Sequence, residues 1–584
     1  MDGFFGDEPG FQPNVQTQTN LAGALAERLA LFGVRHAFGV IGGAIGVLYD
    51  ALEDSRITLH HFRHESGAAF AAAEAYFATD HPSVVFVTTG PGTLNALTGI
   101  AAARWDGAKV VLLSGTTGAA QRGRWATQES SAYTLPQDAL YSRGPIFDFG
   151  VRVEHASELT EVLRRLRHGL ARPNGFIAHI GLPISLQSAR VELPRAPRPT
   201  GLVSSAIAED RAAECAQLLT EDGPFAIWVG FGARSASAQV RELMRRTGAH
   251  AFCSPRGKGI ISETHPRFVG VSGLGGHESV RDFMLHEQPA WVLVLGSRLG
   301  ESTSFWDTAL CPSSGFIHVD LDPNVPGVAY PTVHTMAVQS EIGHFLDRLL
   351  EALPTDDPTR ALPTPSTFRH EAEPIPRAGQ HLTPVRPQVL MAALQRGVID
   401  ATDALIMSES GNAFAWCNHH LRFQEPGRYR VSTLFGSMGH CASGIVGAAL
   451  ASGRKTVGVV GDGAMLMNAE VSTAVQYDAP VVWVILNDAG FGMSESGQQM
   501  FGLSTAQLRY NQVDFVAIAR ATGADGVRVT HEDQLDDALA RAMAAKGPFV
   551  VDVIIDPSEA SPLISRFESL LRQGSASDIA AWDA

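Results

Sequence analysis

Cysteine is scarce in this chain of 584 residues, and the five present stand apart. Cys215, Cys253, Cys311, Cys417 and Cys441 form no Cys-x-x-Cys pair, which argues against zinc or disulfides and for free buried thiols in a reducing compartment. Charge is also sparse, at 18% of residues, and its balance is acidic, with a formal net charge of -15. That argues against non-specific binding of nucleic acid. No apolar run approaches the roughly 20 residues that cross a bilayer. Near the N-terminus, Asp2, Asp7 and Glu8 stand where a secretory signal would be basic and then apolar. The expected setting is the cytoplasm, with neither a membrane nor a nucleic acid as partner.

What the chain does have is length and hydrophobic patterning. It is too long for one core, and roughly three or four domains is the prior. From about Leu21, amphipathic helices over 20–32, 44–54, 65–78 and 93–104 alternate with short apolar strands over 36–40, 57–61, 83–88 and 109–114. Alternation at this spacing predicts a parallel sheet with helices on both faces. A Pro/Arg-rich stretch at 194–199 closes this block, and a second block carries strands over 225–230, 249–253, 291–295 and 316–319. The expected fold class is α/β, with three doubly wound parallel-sheet domains. An irregular arm is expected at 1–17, domains at 18–193, 194–352 and 389–562, a polar linker at 353–388, and a tail at 563–584 able to fold over a neighbour. The first and third blocks have similar lengths and element order.

Chemistry concentrates in four stretches. Val457–Val460 reads as a buried strand that delivers Asp462, between Gly461 and Gly463, to its carboxyl end. An aspartate there often only caps a helix. A second strand, Val481–Leu486, brings Asn487-Asp488-Ala489-Gly490-Phe491-Gly492 to the same rim. Two oxygen donors from two strand ends describe a site where a divalent cation clamps a diphosphate. Glu65 opens a helix whose neighbours Ala68, Ala69, Ala71, Ala72 and Ala73 signal tight packing. Alone it is a first-turn glutamate favoured by the helix dipole; the packing adds partial desolvation. Thr88-Thr89-Gly90-Pro91-Gly92-Thr93-Leu94-Asn95 is a strand–turn–helix junction that either admits a flat ligand or merely seats a helix. Phe435-Gly436-Ser437-Met438-Gly439-His440 precedes a small-residue helix, where Met438 by itself reads as core filler. The adjacent histidines at 60–61 and 419–420 would face opposite ways on a strand, which argues against a metal site.

Taken together, these stretches resemble the thiamine-diphosphate enzymes of the acetolactate synthase and pyruvate oxidase type. The resemblance runs from about Leu21 to Asp556. It rests on Phe38-Gly-Val-Ile-Gly-Gly-Ala-Ile, Arg63-His-Glu-Ser-Gly-Ala-Ala, Gly90-Pro-Gly-Thr-Leu-Asn, His318-Val-Asp-Leu-Asp-Pro, Gly436-Ser-Met-Gly and Gly461-Asp-Gly. It implies a pyrimidine-binding first domain, a central nucleotide-binding-like domain and a diphosphate-binding third domain. The active site would lie between two subunits of a homodimer or homotetramer, with thiamine diphosphate and Mg2+ as cofactors. A small 2-oxo acid and a carbonyl acceptor are the implied substrates. Carried over residue by residue, Glu65 protonates the pyrimidine ring, and Gly42, Gly90 and Asn95 meet the cofactor from the first domain. Gly411, Asn412, Gly463 and Ala464 face the diphosphate, Gly436 receives the pyrimidine amino group, Met438 is the wedge under the bent cofactor, and Met493 lies beside it. Asp462, Asp488 and the carbonyl of Gly490 hold the metal, with Asn487 as the competing second ligand. Gln137 is the residue implied to address the acceptor.

Departures from that pattern sharpen the expected activity. Gly42-Gly43 supplies no acid or histidine where aldehyde-releasing decarboxylases of this type place one, so carboligation is favoured over protonation. Ser494 to Gln499 stands where resembling acetohydroxyacid synthases carry a tryptophan that selects the second 2-oxo acid, so an acceptor other than pyruvate or 2-oxobutyrate is expected. The alternatives are a C–C lyase or hydrolase and a flavin-linked 2-oxo acid oxidase. Gly230-Phe-Gly-Ala-Arg234, Arg298 and Asp320 stand near positions where flavin-binding relatives contact the nucleotide. A lone Gly-x-Gly leaves FAD, ADP and no ligand all open for the central domain. A dinucleotide-binding dehydrogenase is the reading from another class, but Gly90-Pro-Gly lacks the complete fingerprint.

Overall fold

A computed structural model describes residues 18–192, 207–221, 223–353, 368, 376–379, 381–467 and 470–574. The expected arm at 1–17, the Pro/Arg stretch at 194–199 and most of the 353–388 linker lie outside the described residues. Three six-stranded sheets organise the chain, each wholly parallel. Across the first lie Thr58–His61, His36–Gly39, Ser83–Val87, Lys109–Thr116, Phe176–Pro183 and Phe149–Arg152. Across the third lie Tyr429–Val431, Leu405–Ser408, Thr456–Gly461, Val481–Asn487, Phe549–Ile554 and Asp525–Val529. Both follow one order of appearance: second, first, third, fourth, sixth, fifth. The middle sheet runs Phe268–Val271, His250–Cys253, Phe225–Val229, Trp291–Leu295, Gly315–Asp320, Thr335–Gln339. That is third, second, first, fourth, fifth, sixth, the order found in dinucleotide-binding folds.

Helices cover both faces of each sheet, so the central strands are apolar throughout rather than alternating. Val110 to Leu113 and Val481 to Ile485 are buried without exception. Two strands of the middle sheet have no such run and are not predicted by one. Thr335–Gln339 lies half open at one edge, and the four-residue Phe268–Val271 is interrupted by Gly270 at the other. The first part of the expected tail, helix Ile564–Gly574, is anchored to the third unit, with Leu563 and Phe567 buried in its core. No helix among the described residues is long and apolar enough to cross a membrane.

Helix Glu65–Thr79 packs on helix His440–Ser452, and each is the helix that follows the second strand of its sheet. Small residues allow this: a Cβ on Gly447 would strike the carbonyl of Ala71. Around this seam, buried charges from all three units neutralise one another. Arg430 meets Glu74 at 2.8 Å, His440 Nε2 lies 3.0 Å from the same carboxylate, and Asp106 stands 3.5 Å from both Arg430 and Arg256. Buried ions need such pairing. The paired histidines find aromatic and polar neighbours instead: buried His60 stacks on His36 and Phe38, half-buried His420 stacks on Trp416, and desolvation lowers both pKa values to about 3.

Candidate active site

The strand ends of the third sheet open into one cavity of about 310 Å³. Asp462 starts the short helix Asp462–Met465 directly after Thr456–Gly461, and Asp488 follows Val481–Asn487. Both line the cavity, beside Gly463, Ala464 and Gly490. Gly411 and Asn412 enter it at the start of helix Asn412–His420, Gly436 and Met438 from the loop after Tyr429–Val431, and Met493 from helix Gly492–Met500. Every residue expected on this side therefore faces one space. Asn487 goes elsewhere. Fully buried, it donates to the carbonyl of Val513 at 3.1 Å and to Asp552 at 2.8 Å. Consecutive residues leave a strand toward opposite sides, so only one of the pair reaches the cavity.

Two carboxylates in one buried space oppose each other's ionisation. Burial raises the pKa of Asp462, and burial followed by the charge of Asp462 pushes Asp488 up to about 7. Asp462 Oδ1 accepts the backbone N–H of Gly463 at 2.8 Å, whereas Oδ2 is buried with no hydrogen-bond partner among the described residues. The Tyr510 hydroxyl stands beside Asp462 and eases its charge without completing a well-formed hydrogen bond. An orphaned carboxylate oxygen next to a second, half-buried carboxylate suits a hard divalent cation. Gly492 keeps that corner open: a Cβ there would fall 2.6 Å from Asp488 Oδ2 and 2.8 Å from Asn412 Nδ2.

A second set gathers at the strand ends of the first sheet. Glu65 begins its helix at 8% exposure, and Asn95 Nδ2 donates to its Oε2 at 3.0 Å. Gly90, at φ +57°, makes the turn into helix Pro91–Asp106, and Gly42 abuts Thr88 so closely that a Cβ would come within 2.6 Å. None of the residues lining the third unit's cavity belongs to this unit, so within one chain the two sets stand apart. Gln137 does not line that cavity either. It starts the one-turn helix Gln137–Leu140, and its Oε1 accepts from Arg152, which also pairs with Glu154.

Comparison with known families follows the same three units. Models of the thiamine pyrophosphate enzymes match in order: the N-terminal TPP binding domain over 19–135, the central domain over 212–349, and the C-terminal TPP binding domain over 409–553. The chain belongs to the thiamine pyrophosphate enzymes. Among its relatives, a putative thiamine pyrophosphate-containing protein, YdaP of Bacillus subtilis, is 28% identical over 91% of each chain. The probable acetolactate synthase large subunit of Methanocaldococcus jannaschii is 26% identical over 93% of each. The acetolactate synthase isozyme 3 large subunit of Escherichia coli is 28% identical, over 90% of this chain and 93% of its own.

In this thiamine pyrophosphate enzyme the cavity, its glycine-lined strand ends and its paired aspartates fit a diphosphate held through a metal ion. Several cavity residues escape a reading by motif. Leu274 and Ser302 come from the middle unit, and Arg566 from the last helix. Glu470 is another. Its buried carboxylate, with a pKa raised by that burial, accepts the backbone N–H groups of Arg63 (3.2 and 3.1 Å) and His64 (3.1 Å), just before Glu65. The middle unit's marked residues find partners within that unit or on the first unit. Gly232 donates to the carbonyl of Gly296 at 3.0 Å, Arg234 pairs with Asp80, Arg298 donates to the carbonyl of Trp105, and Asp320 accepts the N–H of Asp322.

Proposed function

We propose that this enzyme is a thiamine-diphosphate- and Mg2+-dependent carboligase, working as a homodimer or homotetramer. It decarboxylates a small 2-oxo acid and transfers the acyl anion to a carbonyl acceptor. One observation carries the reading: Asp462, Asp488, Gly490, Gly463 and Met438 converge on a single cavity, while a buried glutamate occupies the corresponding end of the first sheet. Asp462, Asp488 and the carbonyl of Gly490 would hold the cation, with Gly411, Asn412, Gly463 and Ala464 about the diphosphate. Met438, which reaches the cavity at 36% exposure, would prop the cofactor in its bent form. The cofactor, when bound, supplies the electron sink for decarboxylation.

The chain's own residues orient the partners, move a proton and keep water away. Glu65, held by a hydrogen bond from Asn95, would be the acid facing the pyrimidine ring nitrogen when the cofactor is bound across a subunit junction. Gly42 and Gly43 offer no side chain to protonate the product, which supports transfer to an acceptor over release as an aldehyde. The acetolactate synthase relatives support carboligation, while Ser494 to Gln499 supports an acceptor other than pyruvate or 2-oxobutyrate. Glu65→Gln is expected to lower turnover on the order of 10²–10⁴-fold with thiamine diphosphate still bound, as read by fluorescence quenching. Undiminished turnover would overturn the reading. Products formed from 2-oxo acids with and without added aldehydes and ketones identify the acceptor, and efficient acetolactate formation would refute the acceptor assigned here. The strand order of the middle unit favours a second reading, a flavin-linked 2-oxo acid oxidase, which flavin absorbance of the purified protein would support.

A further inference from the structure

The cavity is lined by two acids, Asp462 and Asp488, and by one cation, Arg566. Arg566 stands on helix Ile564–Gly574, outside the motifs that shape the strand ends. Its helix is pinned rather than loose. Leu563 and Phe567 are buried on either side of it in sequence, Phe567 lies against Gly497, and Ser561 donates to Asn412 Oδ1 at 3.1 Å. Residues three and four apart share a helix face, so the anchors at 563 and 567 fix where position 566 points. Among the described residues the Arg566 guanidinium has no acidic partner. A guanidinium presents a rigid fork of donors that matches a carboxylate in two parallel hydrogen bonds. A cation lining a cavity with no carboxylate in ion-pair distance among the described residues calls for an anion that comes and goes.

We infer that Arg566 reads the carboxylate of the 2-oxo acid, an assignment that rests on the carboligase reading above. The cofactor's diphosphate is the other anion of that reading, but it already has the glycine turns and the metal held by Asp462 and Asp488. The other polar side chains that line the space from outside the strand ends, such as Ser302 and Ser494, are neutral. Selection of an acid over a neutral carbonyl compound therefore falls to this arginine.

The test uses full-length protein loaded with thiamine diphosphate and Mg2+, as wild type, Arg566→Gln and Arg566→Lys. Thermal shifts and KM values are measured with pyruvate, 2-oxobutyrate and phenylpyruvate, and cofactor affinity by calorimetry. The expected result is a KM for the acids at least ten-fold higher in Arg566→Gln, partial rescue by Lys, and cofactor affinity within two-fold of wild type. An unchanged KM in Arg566→Gln, or a loss of cofactor affinity instead, overturns the assignment while leaving the carboligase reading intact. A wild-type enzyme that neither binds nor turns over any of the three acids overturns both. If Gln unfolds the last helix, Lys decides alone: wild-type acid preference with a shorter, single-point cation is incompatible with forked recognition.

Discussion

At the scale of the residue, side-chain direction decides which of two adjacent oxygen donors reaches the cavity. Asn487 is spent inside the sheet on Val513 and Asp552, and Asp488 is left to face Asp462 across the cavity. Gly492 protects that geometry by having no Cβ to press on Asp488 and Asn412. Gly492→Ala is accordingly expected to weaken Mg2+ binding by roughly ten- to a hundred-fold, the usual cost of disturbing a ligand's support. Calorimetric titration with Mg2+ in the presence of thiamine diphosphate would show it, while the urea midpoint of the unliganded protein stays near wild type.

At the scale of the element, the strand-end sites were legible and the contributions from afar were not. A strand that stops at Gly461 and is followed by an aspartate places that aspartate by local geometry alone, so motif reading found Asp462, Gly463 and Asp488 together. Arg566, Ser302 and Glu470 arrive through tertiary packing, and no nearby pattern marks them. The one available sign for the last helix was the spacing of Leu563 and Phe567, which predicts a buried face but not what the residue between them meets. Glu470 shows the importance of such distant help. It receives the N–H groups of Arg63 and His64 and so sets the start of the Glu65 helix. Glu470→Ala leaves those donors unpaired, at a cost of about 1–3 kcal/mol in stability. If Glu470 positions Glu65 in this way, kcat should fall at least ten-fold with thiamine diphosphate affinity preserved; equal kcat per folded molecule would show a purely structural role.

At the scale of the whole molecule, one consequence follows from the separation of the Glu65 set and the Asp462 set. If the site is completed by a second copy, two inactive variants repair each other. Co-refolded Glu65→Gln and Asp462→Asn chains are expected to recover about a quarter of wild-type activity through statistical mixing in a two-fold dimer. A mixture that stays inactive would place both groups in one chain. Stability against acid is the second whole-molecule property. His60 is buried with its pKa lowered to about 3 from 6.5, so its neutral form stabilises the fold fully above 6.5, and that contribution is lost as pH falls toward about 3. Replacing it by phenylalanine, which keeps the stack on Phe38, should flatten the dependence of unfolding free energy on pH by up to about 1.4 kcal/mol per pH unit in that window. Urea midpoints from pH 4 to pH 7 (roughly the accessible range) measure the difference.

The meeting of helix Glu65–Thr79 with helix His440–Ser452 has a further consequence. Two halves with the same strand order touch through corresponding parts, as the members of a symmetric pair do. The polypeptide thus carries a built-in twin, and its two like units differ in content, one holding a buried glutamate at its strand ends and the other a pair of aspartates. Any bulk inserted between positions 71 and 447 would pry the twins apart and disturb both sets of strand ends in a single stroke.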